Sequence, residues 1–315
     1  MDRPYISVVI PVHNEQEVLE ILYNRLTAVL DKINKPYEII LVNDGSTDNS
    51  EKILAELFHR RPKQFRIINF GGNFGQHMAI MAGLENVRGE IIITMDADLQ
   101  NPPEEIPKLI AAIENGHDVV NTHRLDRQDK KWRLFFSRLH NTIRAKILPR
   151  IKMKDEGSML RAYTRNIVDK MAATGESSTF IPVLALLFAT NPTEVGISHE
   201  ERAAGKTKYN FYKLLRYNFD LVTNFSLVPL EIFTFIGISV SFFSILFFVF
   251  LLLRRIIIGP EASGLFTLFA IAFFIMGLIL LGLGIVGEYI GRIYHETLRR
   301  PRFVIRNILQ QNDTK

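Results

Sequence analysis

The chain has 315 residues, 47% apolar and 23% charged, with a formal net charge of +5. It contains no cysteine, which excludes a disulfide framework and any thiolate metal site and fits a reducing compartment. The modest basic excess suits nucleic acid, anionic lipid or phosphorylated substrates alike, so position along the chain carries more information than the total.

The first expected strand is Ile6-Ser7-Val8-Val9-Ile10-Pro11, running into the polar turn Val12-His13-Asn14-Glu15, which opens a helix to about Asn34. Ile6 to Val12 is too short for the apolar core of a signal peptide. Tyr37 to Val42 is a second strand, stopped by Asn43-Asp44-Gly45-Ser46-Thr47-Asp48. Asp48 or Ser46 can cap the next helix, which carries Ile53, Leu54 and Leu57 on one side. Phe65 to Asn69 is the third strand, followed by Gly71-Gly72-Asn73-Phe74-Gly75-Gln76-His77 and a small-residue helix to about Val87. The fourth begins at Ile91, and Asp118-Val119-Val120 is the core of a fifth. Strands alternating with helices predict an α/β domain with a parallel sheet covered on both faces. That is a nucleotide-binding layout, although layout alone is not function.

The fourth strand carries the chemistry. Its apolar run ends in Asp96-Ala97-Asp98-Leu99-Gln100-Asn101, and Pro102-Pro103 prevents it from continuing. Strand alternation places Asp96 and Asp98 on one face, at the sheet edge where open α/β folds bind ligands. Two carboxylates beside the Gln100 amide suit Mg²⁺ or Mn²⁺ with positions left for phosphates. A competing reading makes both aspartates caps of the helix opening near Pro103. Pro11, Glu15 and Asp44 fall on the same edge, where a carboxylate can accept from a base N–H or a ribose hydroxyl. No Gly-x-Gly-x-x-Gly turn follows the first strand, which disfavours hydride chemistry with NAD. A metal bridging a nucleotide diphosphate would stabilise it as a leaving group, so transfer of whatever the diphosphate carries is expected.

Beyond the fifth strand Arg124, Arg127, Lys130, Lys131 and Arg133 lead into Trp132, Leu134, Phe135, Phe136, Leu139, Ile143 and Ile147. That spacing predicts a basic amphipathic helix near 131–149, suited to a membrane surface or, alternatively, to an ordinary core. A strand at Ser158 to Tyr163, helices near Arg165 to Ala173 and Phe180 to Thr190, and a strand around Glu194 to His199 follow. Gly205-Lys206-Thr207 invites a P-loop reading, but Glu200 stands where that motif needs glycine. Phe211 to Asn224 is a second helix of mixed polarity. Ile232 to Leu253 and Ala262 to Gly287 are uncharged runs, each longer than the roughly 18 residues of a membrane span. Gly277, Gly282, Gly284 and Gly287 permit close helix contacts there. Lys206, Lys208, Lys213 and Arg216 precede the spans and Arg292, Arg299, Arg300 and Arg302 follow them, against Arg254 and Arg255 between them. The positive-inside tendency then puts both termini in the cytoplasm. The expected organisation is a cytoplasmic domain at 1–205, a juxtamembrane basic loop and helix at 206–230, two transmembrane helices at 231–290 and a cytoplasmic tail at 291–315.

Three separate blocks, Ser7 to Glu15, Val42 to Ser46 and Asp96-Ala97-Asp98, resemble the inverting glycosyltransferases of family 2, whose fold is called GT-A. Within it, Asp96 to Gln100 with Arg202 and Lys208-Tyr209 resembles the polyprenyl-phosphate glycosyltransferases. Asn73 to His77, Gln100 to Pro107, Met159 to Tyr163, Ser178 to Pro182 and Glu288 to Tyr294 resemble an undecaprenyl-phosphate branch of that group, so the likeness spans nearly the whole chain. His13 departs from the Tyr common at its position.

The resemblance implies that Pro11, Glu15 and Asp44 hold uridine, with Val42 and Ala97 in the same donor-binding blocks. It implies that Asp96, Asp98 and Gln100 surround Mg²⁺ or Mn²⁺, and that Arg202 and Lys208 meet the diphosphate or the lipid phosphate. The implied activity is inverting transfer from a UDP-sugar to undecaprenyl phosphate at the cytoplasmic face of the inner membrane. The implied sugar is 4-deoxy-4-formamido-L-arabinose, in lipid A modification and polymyxin resistance, with glucose or mannose as alternatives. A homo-oligomer, tetrameric by the same resemblance, and the lipid bilayer are the implied partners, with no nucleic acid. A phosphate monoester acceptor is already about 1.5 to 2 negative at pH 7 and needs no general base. It needs cations beside it, which Arg124, Arg127, Arg202 and Lys208 can supply. Asp155 is a candidate to orient the sugar or act as a base. A processive polysaccharide synthase fits poorly, since its Gln-x-x-Arg-Trp motif meets Gln128-Asp129-Lys130-Lys131-Trp132 here. A non-catalytic scaffold on a decayed transferase fold should have lost one of Asp44, Asp96, Asp98 and Gln100, and all are present.

Overall fold

A computed structural model describes residues 3–125, 158–175, 180–198, 200, 228–259, 264–297 and 301–311. The chain divides into two compact units, Met1–Lys208 with Pro301–Lys315, and Tyr209–Arg300. The amphipathic helix expected near 131–149 and the juxtamembrane segment before 228 lie outside the described residues.

The first unit is built on one sheet. Its elements in order are β1 (Ile6–Val12), α1 (Leu19–Ile33), β2 (Tyr37–Asn43), α2 (Ser50–Arg60), β3 (Phe65–Phe70), α3 (Gln76–Asn86) and β4 (Ile91–Thr94). A 3₁₀ turn at Pro103–Glu105 then leads into α4 (Ile106–Glu114), β5 (Val119–Arg124), β6 (Arg161–Thr164) and α5 (Arg165–Ala173). After these come α6 (Ile181–Phe188), β7 (Pro192–Ile197) and β8 (Ile305–Leu309). The strand order is β7-β5-β6-β4-β1-β2-β3-β8.

The run at Ile6 is apolar at nearly every position because both of its faces are covered. Ile6, Val8 and Ile10 join Leu19, Leu22, Leu26 and Leu30 of α1 in one core cluster. Val9 points the other way, against α3, where a Cβ on Gly83 would collide with the Val9 side chain. Small residues on α3 therefore set how closely that helix approaches the sheet. The sheet is mixed, which corrects the expectation of a parallel one. β6 runs antiparallel between β4 and β5, and β8 runs antiparallel to β3. Periodicity marks a strand but not its direction, and these two pair with residues distant in sequence. The stretch expected as a tail after the apolar helices thus contributes an edge strand.

The second unit holds α7 (Val228–Ile258, 31 residues) and α8 (Leu265–Thr297, 33 residues). At 1.5 Å per residue they are about 46 and 50 Å long. Phe235 and Ile257 are 71% and 79% exposed, and many other large apolar side chains are exposed with them. Among the described residues one segment, Ile271–Gly291, has the length and mean hydropathy of 2.3 that crossing a membrane requires. Of the glycines noted above, a Cβ on Gly282 would collide with the Phe233 ring, whereas one on Gly277, Gly284 or Gly287 would have no described atom within 4 Å.

Candidate functional site

The C-terminal ends of β1, β2 and β4 open into a cleft of about 260 Å³, lined by Pro11, Glu15, Asp44, Gln76, Asp96 and Asp98 among others. β4 stops at Thr94, so the acidic pair sits on a turn rather than on the pleated strand. Alternation therefore does not explain their shared orientation. The turn does: Leu99 takes a positive φ of 61°, and the Asp98 carboxylate accepts the Gln100 N–H at 3.1 Å. Neither aspartate caps the helical turn at Pro103 or α4, which disposes of the capping alternative. Asp98 is 7% exposed, whereas Asp96 is partly open and accepts a hydrogen bond from the Gln76 amide at 2.5 Å.

The turn is held from outside. Arg25 on α1 donates to Glu104 and to Glu200, and the Glu200 N–H donates to the Gln100 carbonyl at 3.0 Å. Beside it lies Arg161, the register partner of Thr94, with no exposed surface and donating to Ser158 O and Asn121.

Asp44 is 3% exposed, and its two oxygens accept the N–H groups of Phe74 at 2.6 Å and Gly75 at 2.9 Å. Burial pushes this carboxyl up, while the two backbone donors and His13 pull it down. The 71–75 loop is thereby clamped over the turn after β2. Gly45 makes the approach possible, since at a φ of 63° a Cβ there would stand 2.5 Å from the Gly72 carbonyl carbon. His13 Nδ1 lies 2.9 Å from the Asp44 carbonyl oxygen. The Asn14 and Asn73 amides lie 3.3 and 3.2 Å from its Nε2. Asp48 accepts the N–H groups of Ser50 and Gln16, tying the start of α2 to the loop after β1. Behind the clamp runs an amide ladder across three strands, Asn43 to Asn69 at 3.0 Å and Asn69 to Asn307 at 2.8 Å. Asn43 also accepts the Ser46 N–H.

The structure therefore brings Pro11, Glu15, Asp44, Asp96, Ala97 and Asp98 together. Val42 is fully buried opposite Pro11 in the sheet, and Gln100 and Arg124 do not line the cleft. Arg127, Asp155, Arg202 and Lys208 lie outside the described residues. Among the described residues no group of three His, Cys, Asp or Glu side chains converges as a complete metal cage. The donor set nevertheless fits a hard divalent cation, since two carboxylates border an open cleft and a substrate's phosphates would complete the shell. Sequence reasoning missed the contacts of Arg25, Gln76 and Arg161, although Gln76 and Arg161 lie in stretches that carry the family resemblance.

Residues 7–174 match the family described as Glycosyl transferase family 2. The chain is 44% identical over 310 residues to the undecaprenyl-phosphate 4-deoxy-4-formamido-L-arabinose transferase of Edwardsiella ictaluri (strain 93-146), covering 98% of this chain and 95% of that protein. It is 45% identical over 313 residues to the protein of the same name from Shewanella sediminis (strain HAW-EB3), covering 99% and 94%. Among solved structures it resembles glucosyl-3-phosphoglycerate synthase from Mycobacterium tuberculosis in complex with Mn²⁺, uridine-diphosphate and glucosyl-3-phosphoglycerate. The TM-score is 0.51 at 18% identity, over 70% of this chain and 78% of that one. A likeness at that identity bears on the fold, and the mixed α/β sheet agrees with the GT-A architecture.

Proposed function

We propose, because the chain belongs to glycosyl transferase family 2, that it transfers 4-deoxy-4-formamido-L-arabinose from a UDP donor to undecaprenyl phosphate. The observation that carries the reading is the cleft where Asp96, Asp98, Asp44 and Glu15 meet at the C-terminal edge of the sheet. The name shared by relatives 44% and 45% identical over nearly their whole length supports the sugar and the lipid.

In this reading the loop clamped by Asp44 and the Pro11–Glu15 turn position the nucleoside, and Asp96 and Asp98 hold Mg²⁺ or Mn²⁺ with Gln100 nearby. The bound cation would neutralise charge on the departing diphosphate. An oxygen of the lipid phosphate forms the new bond to the anomeric carbon as the bond to the diphosphate oxygen breaks, which inverts that centre. No side chain has to remove a proton from the acceptor, because its phosphate is already ionised at pH 7. Arg124, Arg127, Arg202 and Lys208 are assigned to hold the two phosphates close together, and Asp155 to orient the sugar. The α7 and α8 helices form the membrane hairpin, with 1–205 and both termini on the cytoplasmic side. Their lengths of 31 and 33 residues and their exposed apolar side chains support this. A homo-oligomer belongs to the same reading.

The test is a donor panel of UDP-4-deoxy-4-formamido-L-arabinose, UDP-glucose and GDP-mannose, offered with undecaprenyl phosphate and Mn²⁺. The formamido sugar should be consumed fastest, EDTA should stop transfer, and Asp98→Ala should lower kcat at least 100-fold. Consumption of GDP-mannose alone would refute the sugar assignment. Indifference to Asp98→Ala would favour a scaffold.

A further inference from the structure

A second and larger cleft opens at the other end of the sheet. It has a volume of about 410 Å³ and is lined where β1, β2 and β3 begin and β8 ends, by Arg3, Lys63, Arg66, Arg88, Glu38 and Gln310 among others. β1 has 7 residues, so at about 3.3 Å per residue the two clefts stand roughly 20 Å apart. Nothing in the proposed transfer uses this one.

Its charge is unbalanced. Glu38, 7% exposed, is the one acid in the lining, and its carboxylate is already committed. One oxygen accepts the Ser7 hydroxyl at 2.6 Å and the Arg88 N–H at 2.5 Å, and the other lies 3.3 Å from the Arg66 guanidinium. Arg66, also 7% exposed, donates in addition to the Asn86 carbonyl. Lys63, Arg88 and Arg3 are exposed at the rim, and none has a carboxylate partner among the described residues. Arg3 donates its Nε–H to the Arg88 carbonyl at 3.0 Å, which holds two of the cationic residues together. Burial pulls the Arg66 guanidinium down, Glu38 pushes it up, and the neighbouring Arg88 pulls it down again. Like charges have thus been gathered where an anion would relieve them.

The walls are rigid and partly apolar. Pro4, Pro36 and Pro62 fix the backbone at three points of the lining. A cleft of this volume falls in the range of small-molecule sites, too roomy for a bare inorganic ion and matched to a compact organic body. Guanidinium groups pair bidentately with phosphate, while Lys63 offers a point charge.

We propose that this cleft is a second ligand site, taking a small organic phosphate, either soluble or as the headgroup of an anionic lipid. Ribose 5-phosphate is the probe, titrated calorimetrically into the full-length protein in detergent with EDTA present, so that metal-dependent binding at the other cleft is suppressed. Binding should weaken at least tenfold in the Lys63→Ala/Arg88→Ala protein and stay unchanged in Asp98→Ala. Binding of UDP with Mn²⁺ should survive the double substitution, which shows that the fold is intact. Lys63→Ala alone, at an exposed position, is the second variant and must also weaken the probe. Short-chain phosphatidylglycerol below its micellar concentration separates the two sources. Displacement of the probe assigns the cleft to a headgroup, and no displacement assigns it to a soluble phosphate. Affinity retained within twofold in both cleft variants, parallel loss in Asp98→Ala, or no binding at millimolar probe would overturn the proposal.

Discussion

Replacing Asp44 by Asn keeps the side chain's shape and removes its charge. Asp44 accepts two backbone donors at 2.6 and 2.9 Å while 3% exposed. Asparagine has one acceptor oxygen, so one N–H keeps a weaker, neutral bond and the other faces an NH₂ group. A hydrogen bond to a charged group contributes about 1.5–3 kcal/mol and an unsatisfied buried donor costs about 1–3 kcal/mol, so a net loss of about 3 kcal/mol is expected. That shifts the balance between the docked and open 71–75 loop by about 100-fold, at 1.4 kcal/mol per decade. Calorimetric titration with UDP and Mn²⁺ should show affinity weakened by about 10- to 100-fold. Hydrogen exchange should show the Phe74 and Gly75 amides losing protection while amides of β1 keep theirs. UDP affinity within twofold of the parent, with both amides still protected, would refute the clamp.

Two further predictions concern the scaffold. The buried His77 Nδ1 has no hydrogen-bond partner among the described residues, and burial, helped by the Arg161 charge, pulls its pKa down to about 4. Between about pH 6.5 and 4 the unfolded chain takes a proton that the native state refuses, so stability falls as pH falls through that window, by at most about 3 kcal/mol. His77→Phe, packed against Phe180 in place of the imidazole, should flatten the pH dependence of the melting temperature relative to the parent, and an unchanged slope would count against a neutral ring there. Asn307→Leu strands the Asn69 amide, 2% exposed, and should cost about 1–3 kcal/mol, or roughly 4–8 °C in the melt for a 2 kcal/mol loss; a shift under 1 °C would show that the ladder contributes nothing.

The sequence displays the strands that bury both faces, because Ile6, Tyr37, Phe65 and Ile91 each begin a β-rich apolar run ended by a polar turn. It also displays the acidic pair, since Pro102-Pro103 marks where the chain must leave the sheet. Strand direction is not legible, as β6 and β8 are fixed by partners 40 or more positions away in pairs such as Val120 with Ala162 and Asn69 with Asn307. β8 is further disguised by its mixed polarity, Ile305-Arg306-Asn307-Ile308-Leu309, which suits an edge strand and reads as a tail. The Asp44 clamp is invisible for another reason. Its partners are backbone N–H groups, which every residue but proline carries, so no side-chain pattern announces them.

The position of β8 also sets an order of events during synthesis. β3 ends at Phe70 and its outer neighbour begins at Ile305, after both long apolar helices. At about 5–20 residues per second, the ribosome needs on the order of ten seconds or more to cover that interval. Until then one flank of β3 is a bare hydrogen-bonding margin, and Asn69 lacks the amide that steadies it. The sheet is thus complete only once the greasy helices have emerged, so a nascent chain reaches them before the cleft at the C-terminal edge of the sheet is fully braced.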